Sequence, residues 1–511
     1  MNATFSMSPN PLVQFLQKPP HDFTREDLVS YCRETGVRNI NFHYCGWGGR
    51  LKTLNFVILN EAHLRTILEA GERVDGSSLF PFVQAGRSDL YVVPRYHTAF
   101  LNPFTEVPTL DILCAFFDRD GQPFESSPQH ILHKAITTFR EHTGLSMETM
   151  GELEYYIVAP AEELYPTADQ RGYHESAPFN KFTHYRVEAM NMLARCGAQI
   201  KYGHSEVGNF TADGKIYEQN EIEFLPTDIE DAADQLVVAK WVMRQLAYKY
   251  GVEVTFAPKI SVGKAGSGMH VHCRLTRNGE SVMLDHGCLT DEARRAIAGW
   301  MMAGTSLPAF GNPHPLSFMR LVPHQEAPTS LCWSLSNRSA LVRVPLGWQC
   351  PLDMAHAANP QEPASGQDFS HKQTFEWRAS DAFADTYLLM AALCCAARHG
   401  LEHAEALQVA ERTYVELGVN IHDRSNQKVQ EALEQLPASC VEAAAELEKD
   451  RAIYTAEGVF SDSIIDYTIR FLRAFDDTTL RQRMDKDVDA LIKDYETYLD
   501  KIFIDKRRKT A

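Results

Sequence analysis

The stretch VGKAGSGMHVHCRL, residues 262–275, sets His270 and His272 one residue apart behind a run of glycine and serine. In a strand, side chains alternate with period two, so both imidazoles project from one face. Carboxylates repeat the spacing. GELEYYIV carries Glu152 and Glu154 with Leu153 and Tyr155 on the opposite face, YEQNEIEF carries Glu221 and Glu223, and TFEWRAS carries Glu376 beside Arg378. A half-exposed sheet accounts for one such pair, but three strands doing it together ask for more. Two like charges roughly 4 Å apart repel by about 4 kcal/mol at an effective dielectric of about 20. A face lined by several carboxylates must therefore be solvated or neutralised by cations. Oxygen-rich sites with a single imidazole suit Mg²⁺ or Mn²⁺, whereas zinc prefers sulfur and several histidines. One of the two histidines is then a candidate metal ligand, with a purely structural histidine as the plainer reading.

A basic constellation accompanies the acidic one. FMRLVPHQEAP holds Arg320 and Glu326, and SNRSALVRVP holds Arg338 and Arg343. Arginine forks bind carboxylates and phosphates in bidentate geometry. Any one of them is more often a surface residue; interleaved with acidic strands, and joined by Arg378, they suit an anionic substrate held on metal ions. Together the two sets suggest phosphoryl transfer, where catalysis is mostly positioning and charge neutralisation. The glycine run is no Walker loop, and the chain has no G-x-G-x-x-G, no G-x-S-x-G elbow and no Cys–His nucleophile motif. Small residues there let backbone approach a ligand closely.

The elements that must position these groups read as α+β. Residues 1–23 form a loose leader. TREDLVSYCRETG has a Thr24 cap and a glycine stop and predicts a helix over 24–36. NINFHYCG, LKTLNFVIL, DLYVVPR and 109–124 predict a small mixed sheet, giving a first domain over 24–125. From residue 126 to 511, amphipathic helices such as 126–144 and 228–250 alternate with charged strands near 151–158, 216–225, 268–276 and 374–379. The last hundred residues are helical, with charge runs on solvated faces.

The 511 residues allow two or more domains, and 44% hydrophobic with 23% charged residues is an ordinary globular balance. A net charge of −17 argues against a nucleic-acid partner. The eleven cysteines include no C-x-x-C pair, which fits reduced thiols. The longest apolar run, YLLMAALCCAA, falls short of the roughly 20 residues of a membrane span. With no basic-then-apolar start, a cytoplasmic location without membrane contact is expected.

GSGMHVH, RLVPHQEAP, NRSALVRVP and FEWRASDAFADTYLLMAAL resemble, in order, the signature segments of type I glutamine synthetase. VDGSSLF and SDLYVVP are similar to its N-terminal domain and AEGVFSDSIIDYTI to its C-terminal end, so the resemblance runs from about residue 24 to 475. It implies a β-grasp domain and a catalytic domain whose curved antiparallel strands form a metal-lined funnel. It further implies a homo-oligomer of two stacked hexamers with active sites between subunits. ATP and glutamate would enter opposite mouths, glutamate's side-chain carboxylate attacking the γ-phosphate before ammonium nitrogen displaces phosphate. By the same resemblance Glu154, Glu206 and Glu221 hold one Mg²⁺ or Mn²⁺ ion, and Glu152, His270 and Glu376 another; two or three ions per site are expected. His272 lies beside the nucleotide, the Gly266 backbone and Arg320 bind glutamate, Arg338 and Arg343 face phosphate, and Arg378 faces substrate. Glu326 sits on a flap that shields the acyl phosphate, and Asp75 with Ser78 reaches the ammonium site from the adjacent subunit. His422 falls where regulated members carry an adenylylated tyrosine.

Departures from the pattern bear on the amine. Ala265 stands for a usual asparagine that grips glutamate, Phe82 for a common tryptophan, Arg274 for a small polar residue, Thr374 for an arginine, and ADTY for ANPY. A γ-glutamyl ligase that takes an organic amine or polyamine keeps the metal ligands and changes the amine pocket. Asp75 and Ser78 argue for ammonium; Ala265 and Phe82 leave the larger amine open. A non-catalytic homologue would be expected to lose ligands, because unneutralised buried carboxylates are costly.

Overall fold

The computed structural model describes residues 3–84, 86, 88–261, 263–322, 327–347, 349–350 and 352–484. The first residues are not a loose leader. Helix α1, Pro11–Leu16, starts with a proline at its first turn, and the Asn10 side chain accepts from Leu12 N at 2.9 Å. Its Leu12 and Val13 join the core formed by Leu28, Ile40 and Phe42. The short PLVQFL segment carries enough apolar surface to dock, which its polar flanks conceal in the sequence.

Helix α2, Arg25–Thr35, begins in a capping box between Thr24 and Asp27. Strands β1 (Asn39–Cys45) and β2 (Leu51–Val57) follow, then α3 (Glu61–Ala70). Strands β3 (Glu72–Asp75), β4 (Asp89–Pro94), β5 (Phe100–Leu101) and β6 (Thr109–Phe117) complete a sheet of order β2-β1-β6-β4-β3, with β5 on β6. β1 runs parallel to β6, and α2 and α3 bury Leu28, Val29, Leu64, Ile67 and Leu68 in the same core as that sheet.

The larger part opens with α4 (Pro128–Thr143), β7 (Ser146–Pro160), α5 (Thr183–Arg195), β8 (Ile200–Ala212) and β9 (Lys215–Phe224). Then come α6 (Ile229–Tyr250), β10 (Met269–Arg277), α7 (Asp291–Met302), β11 (Trp333–Leu335), β12 (Val342–Val344), β13 (Phe375–Trp377), α8 (Thr386–Glu402) and α9 (Asp462–Arg473). The main sheet has order β11-β12-β13-β10-β7-β9-β8. Its pairings are antiparallel apart from the parallel β11–β12 edge.

The two faces of this sheet differ sharply. Leu153, Tyr155, Ile222, Val271, Cys273, Phe375 and Trp377 are fully buried in one core with the apolar sides of α4, α6 and α8. The alternate positions face away, so a one-residue slip would drive the carboxylates into that core. Register is therefore set by the hydrophobic face, and the charged face follows it. Between the two parts, the Arg95 guanidinium forks onto Asp234 of α6 at 2.9 and 2.7 Å, and Tyr387 of α8 donates to the same carboxylate at 2.7 Å. Among the described residues, no helix is long and apolar enough to cross a membrane.

Candidate active site

Register brings the chemistry together. On β7, Glu152 lies opposite His270 of β10 on one side and Glu223 of β9 on the other, while Glu154 lies opposite Glu221. β13 sets Glu376 opposite His272, and β12 sets Arg343 opposite Glu376. β8 sets Tyr202 opposite Glu223 and His204 opposite Glu221. Directly opposed residues share a sheet face, so these groups line one funnel of about 1390 Å³, to which Gly266, Arg320, Arg338 and Arg378 also contribute. That is larger than the usual single-ligand pocket and has room for two substrates.

The polar contacts are close. His270 Nδ1 is 3.0 Å from Glu152 Oε2 and 3.4 Å from Glu376 Oε1. His272 Nε2 is 2.8 Å from Glu152 Oε1, and its Nδ1 is 3.0 Å from Thr374 Oγ1. Arg343 Nη1 and Arg378 Nε each donate to Glu376 at 3.1 Å. Glu154 Oε2 accepts from Gly268 N at 2.8 Å and Gln219 Nε2 at 3.1 Å. Arg320 is buried behind His270, donating to Ala379 O at 2.7 Å, with its Nη2 3.4 Å from His270 Nε2.

The glycine run is explained by these approaches. A Cβ on Gly266 would stand 2.6 Å from Pro258 O and 2.9 Å from Arg320 Cγ, and one on Gly268 would stand 2.5 Å from Arg320 Nη2. Only glycine admits the guanidinium and the imidazole side by side there.

Electrostatics divides the carboxylates. Burial pushes Glu152 upward, but the His272 charge and hydrogen bonds from both imidazoles outweigh it and hold it well below the ordinary range. Burial and then the Glu152 charge raise Glu376, yet His272, Arg378 and His270 bring it down overall. Glu221 goes the other way: burial first, then repulsion from Glu152, Glu154, Glu206 and Glu223, lifts it well above the carboxylate range. A buried carboxylate raised by four others is the electrostatic mark of a place that a cation would relieve. The donors are carboxylate oxygens with imidazole nitrogens and no thiolate, which fits a hard divalent ion.

Two groups of side chains have ligand atoms all within 4.8 Å of one another here: Glu152, His270 and Glu376, and separately His204, Glu221 and Glu223. The first is the trio expected from the sequence. The second differs from the expected Glu154, Glu206 and Glu221. The β8–β9 ladder is irregular between Ser205 and Asn209, so Glu206 leaves the ladder and its Oε2 accepts from Val207 N at 2.8 Å. Glu223 was legible as half of a carboxylate pair but received no role, and His204, two residues before Glu206, was missed. Period-two spacing from His204 was the available signal. Lys201, 2.7 Å from Glu223, and the rim aromatics Tyr173, His174 and Tyr202 were also missed.

Asp75 and Ser78 do not line the funnel of their own chain. Asp75 sits exposed, its carboxylate accepting from Ser77 N at 2.9 Å and from the Ser77 and Ser78 hydroxyls at 2.6 Å each. Those hydrogen bonds hold it below the ordinary carboxylate range. Glu326 lies outside the described residues. Arg274 pairs with Glu148 at 2.9 Å and does not line the funnel, whereas Ala265 does, its N–H donating to Gln170 Oε1 at 2.7 Å. His422 also lines the funnel.

Comparison with known proteins agrees with this architecture. The profile "Glutamine synthetase, beta-Grasp domain" matches residues 36–119, and "Glutamine synthetase, catalytic domain" matches residues 125–486. The chain is 32% identical over 331 residues to the glutamine synthetase of Clostridium saccharobutylicum, covering 63% of this chain and 72% of that protein. In fold it resembles the cryo-EM structure of Plasmodium falciparum glutamine synthetase at a TM-score of 0.71 and 20% identity, over 90% of this chain and 97% of that one. An apo structure of GmaS gives the same TM-score at 16% identity, over 90% and 99%. A small β-grasp sheet, then a curved sheet whose polar face gathers carboxylates, imidazoles and arginines, and the profiles that span both parts lead to one assignment: the chain belongs to the glutamine synthetase family.

Proposed function

We propose that the protein is an ATP-dependent ligase that joins ammonium to the γ-carboxylate of glutamate, giving glutamine, ADP and phosphate. The observation that carries this reading is the convergence of Glu152, His270, Glu376 and Glu221 with Arg320, Arg338, Arg343 and Arg378 in one funnel. In the proposed reaction a glutamate oxygen attacks the γ-phosphorus, the bond to ADP breaks, and the amine nitrogen then displaces phosphate from the acyl carbon. Divalent ions, Mg²⁺ or Mn²⁺, would neutralise phosphate charge when bound. Glu152, His270 and Glu376 would hold one, and Glu221 with Glu154, Glu206, Glu223 and His204 offers donors for another.

Arg320, fixed by backbone carbonyls, would grip the carboxylate of glutamate beside the Gly266 backbone. Arg338 and Arg343 would face phosphate, with Arg378 at the substrate and His272 beside the nucleotide. Asp75 and Ser78 supply an anionic hydrogen-bonding pair of the kind an ammonium site needs, with Glu326 as the base. Since Asp75 lies outside its own chain's funnel, it would act from a second copy, which supports a homo-oligomer with shared sites, two stacked hexamers in the family's usual arrangement.

An organic amine as acceptor is the second reading. The funnel rim carries stacked Tyr173 and His174, ring centroids 4.2 Å apart, and Tyr202 near His204 at 5.9 Å. Such a rim suits a larger cationic amine. A panel of amines in an ATP-dependent phosphate-release assay separates the two. Ammonium is expected to give the highest kcat/KM; an organic amine that beats it at equal concentration makes the second reading the right one, and release with neither removes both.

A further inference from the structure

A second cluster of imidazoles lies away from the funnel, where the N-terminal segment crosses onto α6. His21 belongs to the one-turn segment Pro20–Asp22, His97 to Tyr96–Thr98 after β4, and Asp231 to the first turn of α6. One ligand atom from each lies within 4.8 Å of the other two. His21 Nε2 is 2.7 Å from Asp231 Oδ2, and the His21 and His97 rings stack with centroids 5.0 Å apart.

The three border a cavity of about 450 Å³ that His130, His133 and Glu230 also line. Four of the chain's 20 histidines therefore meet at one small cavity. His133 Nδ1 is 3.2 Å from Glu230 Oε1, a second nitrogen and carboxylate pair on the same wall. Arg95, the cavity's guanidinium, is already matched by its fork onto Asp234, so its charge opposes a bound cation less than its presence suggests.

We propose that His21, His97 and Asp231 form a binding site for a divalent transition-metal ion, best matched by Zn²⁺, that fastens the N-terminal segment and the β-grasp domain to α6. Two imidazoles and one carboxylate are a donor set for zinc, whereas Mg²⁺ selects oxygen. The funnel's carboxylate-rich walls and this nitrogen-rich site thus favour different ions. Zinc–nitrogen bonds of about 2.0–2.1 Å bring tetrahedral donors to roughly 3.3 Å from one another. An ion lies in the plane of each imidazole that binds it, so the stacked rings must tilt. His21, with its side chain 63% exposed against 22% for Asp231, is the partner free to turn. Without metal, the His21–Asp231 hydrogen bond and the packing of Leu12 and Val13 would hold the segment, and that is the competing account.

The test uses the full-length chain stripped with a chelator and returned to excess Mg²⁺. ZnCl₂ is titrated calorimetrically into the unsubstituted protein, His21→Gln and His97→Ala; the funnel is common to all three, so its contribution cancels. The unsubstituted protein is expected to bind one more tight Zn²⁺ per subunit than either variant. Zn²⁺ is also expected to slow chymotryptic cleavage after Phe23, next to the Pro20–Asp22 segment, in the unsubstituted protein and not in His21→Gln. Equal zinc counts in the unsubstituted protein and His21→Gln overturn the proposal. Should His97→Ala not fold, His21→Gln, a change on an exposed side chain, decides by itself.

Discussion

Placing one methyl group on Gly268 tests whether the close approach of Arg320 and His270 serves chemistry. That Cβ would stand 2.5 Å from Arg320 Nη2 and 2.9 Å from His270 Nε2. Ordinary contact is about 3.5 Å, so the guanidinium must retreat by roughly 1 Å and the ring by about half as much. Arg320 has little room to do so, since its Nη1 donates to Ala379 O at 2.7 Å and its Nη2 to Arg378 O at 3.3 Å. The Gly268 backbone lies outside the left-handed region and its N–H still donates to Glu154, so the substitution is compatible with the fold. A displacement of roughly 1 Å in a reacting constellation costs about 100-fold, or about 2.7 kcal/mol in the barrier. Gly268→Ala is thus expected to lower kcat/KM for ATP-dependent phosphate release about 100-fold, with the KM for glutamate rising more than that for ATP, and an unchanged circular dichroism spectrum. A folded variant within about threefold of the original in kcat/KM would refute the idea that the funnel needs this approach.

Glu376→Ala removes a carboxylate that two arginines and two imidazoles face; activity should fall more than about 100-fold in a folded protein, and normal turnover would sink its assignment. Because Glu221 is raised, the folded metal-free chain holds a proton that the unfolded chain has already released above the ordinary carboxylate range, and the stability that proton contributes is lost as pH rises. A divalent ion must displace this proton, so the melting-temperature gain from Mg²⁺ should grow as pH rises above the ordinary carboxylate range; a gain that does not change with pH counts against the site. Asp75→Ala should raise the KM for ammonium more than that for ATP, and the reverse order would remove Asp75 from the amine site. Thr24→Ala breaks the α2 capping box and should lower stability by about 1 kcal/mol in a denaturant titration, without changing kcat.

The alternation of Glu152 with Leu153, of Glu221 with Ile222 and of His270 with Val271 is local information, and it was enough to predict a polar and an apolar face before any pairing was known. Capping and stop residues did the same for the helix starting after Thr24, because those signals act within one turn. Glu376, Arg343 and His272 become neighbours only through the antiparallel registers of β10, β12 and β13, which are set by apolar packing over long sequence separations. The irregular β8–β9 pairing around Glu206, which still lines the funnel, and the flanking of Glu221 by His204 and Glu223 are equally invisible to a periodic reading, since they depend on how β8 and β9 pair. The packing of α1 was missed because docking depends on a surface contributed by distant strands. His21, His97 and Asp231 are separated by scores of residues and share no motif. Residue type and spacing determined what chemistry the chain can offer, and tertiary register decided which of those groups stand close enough to act together.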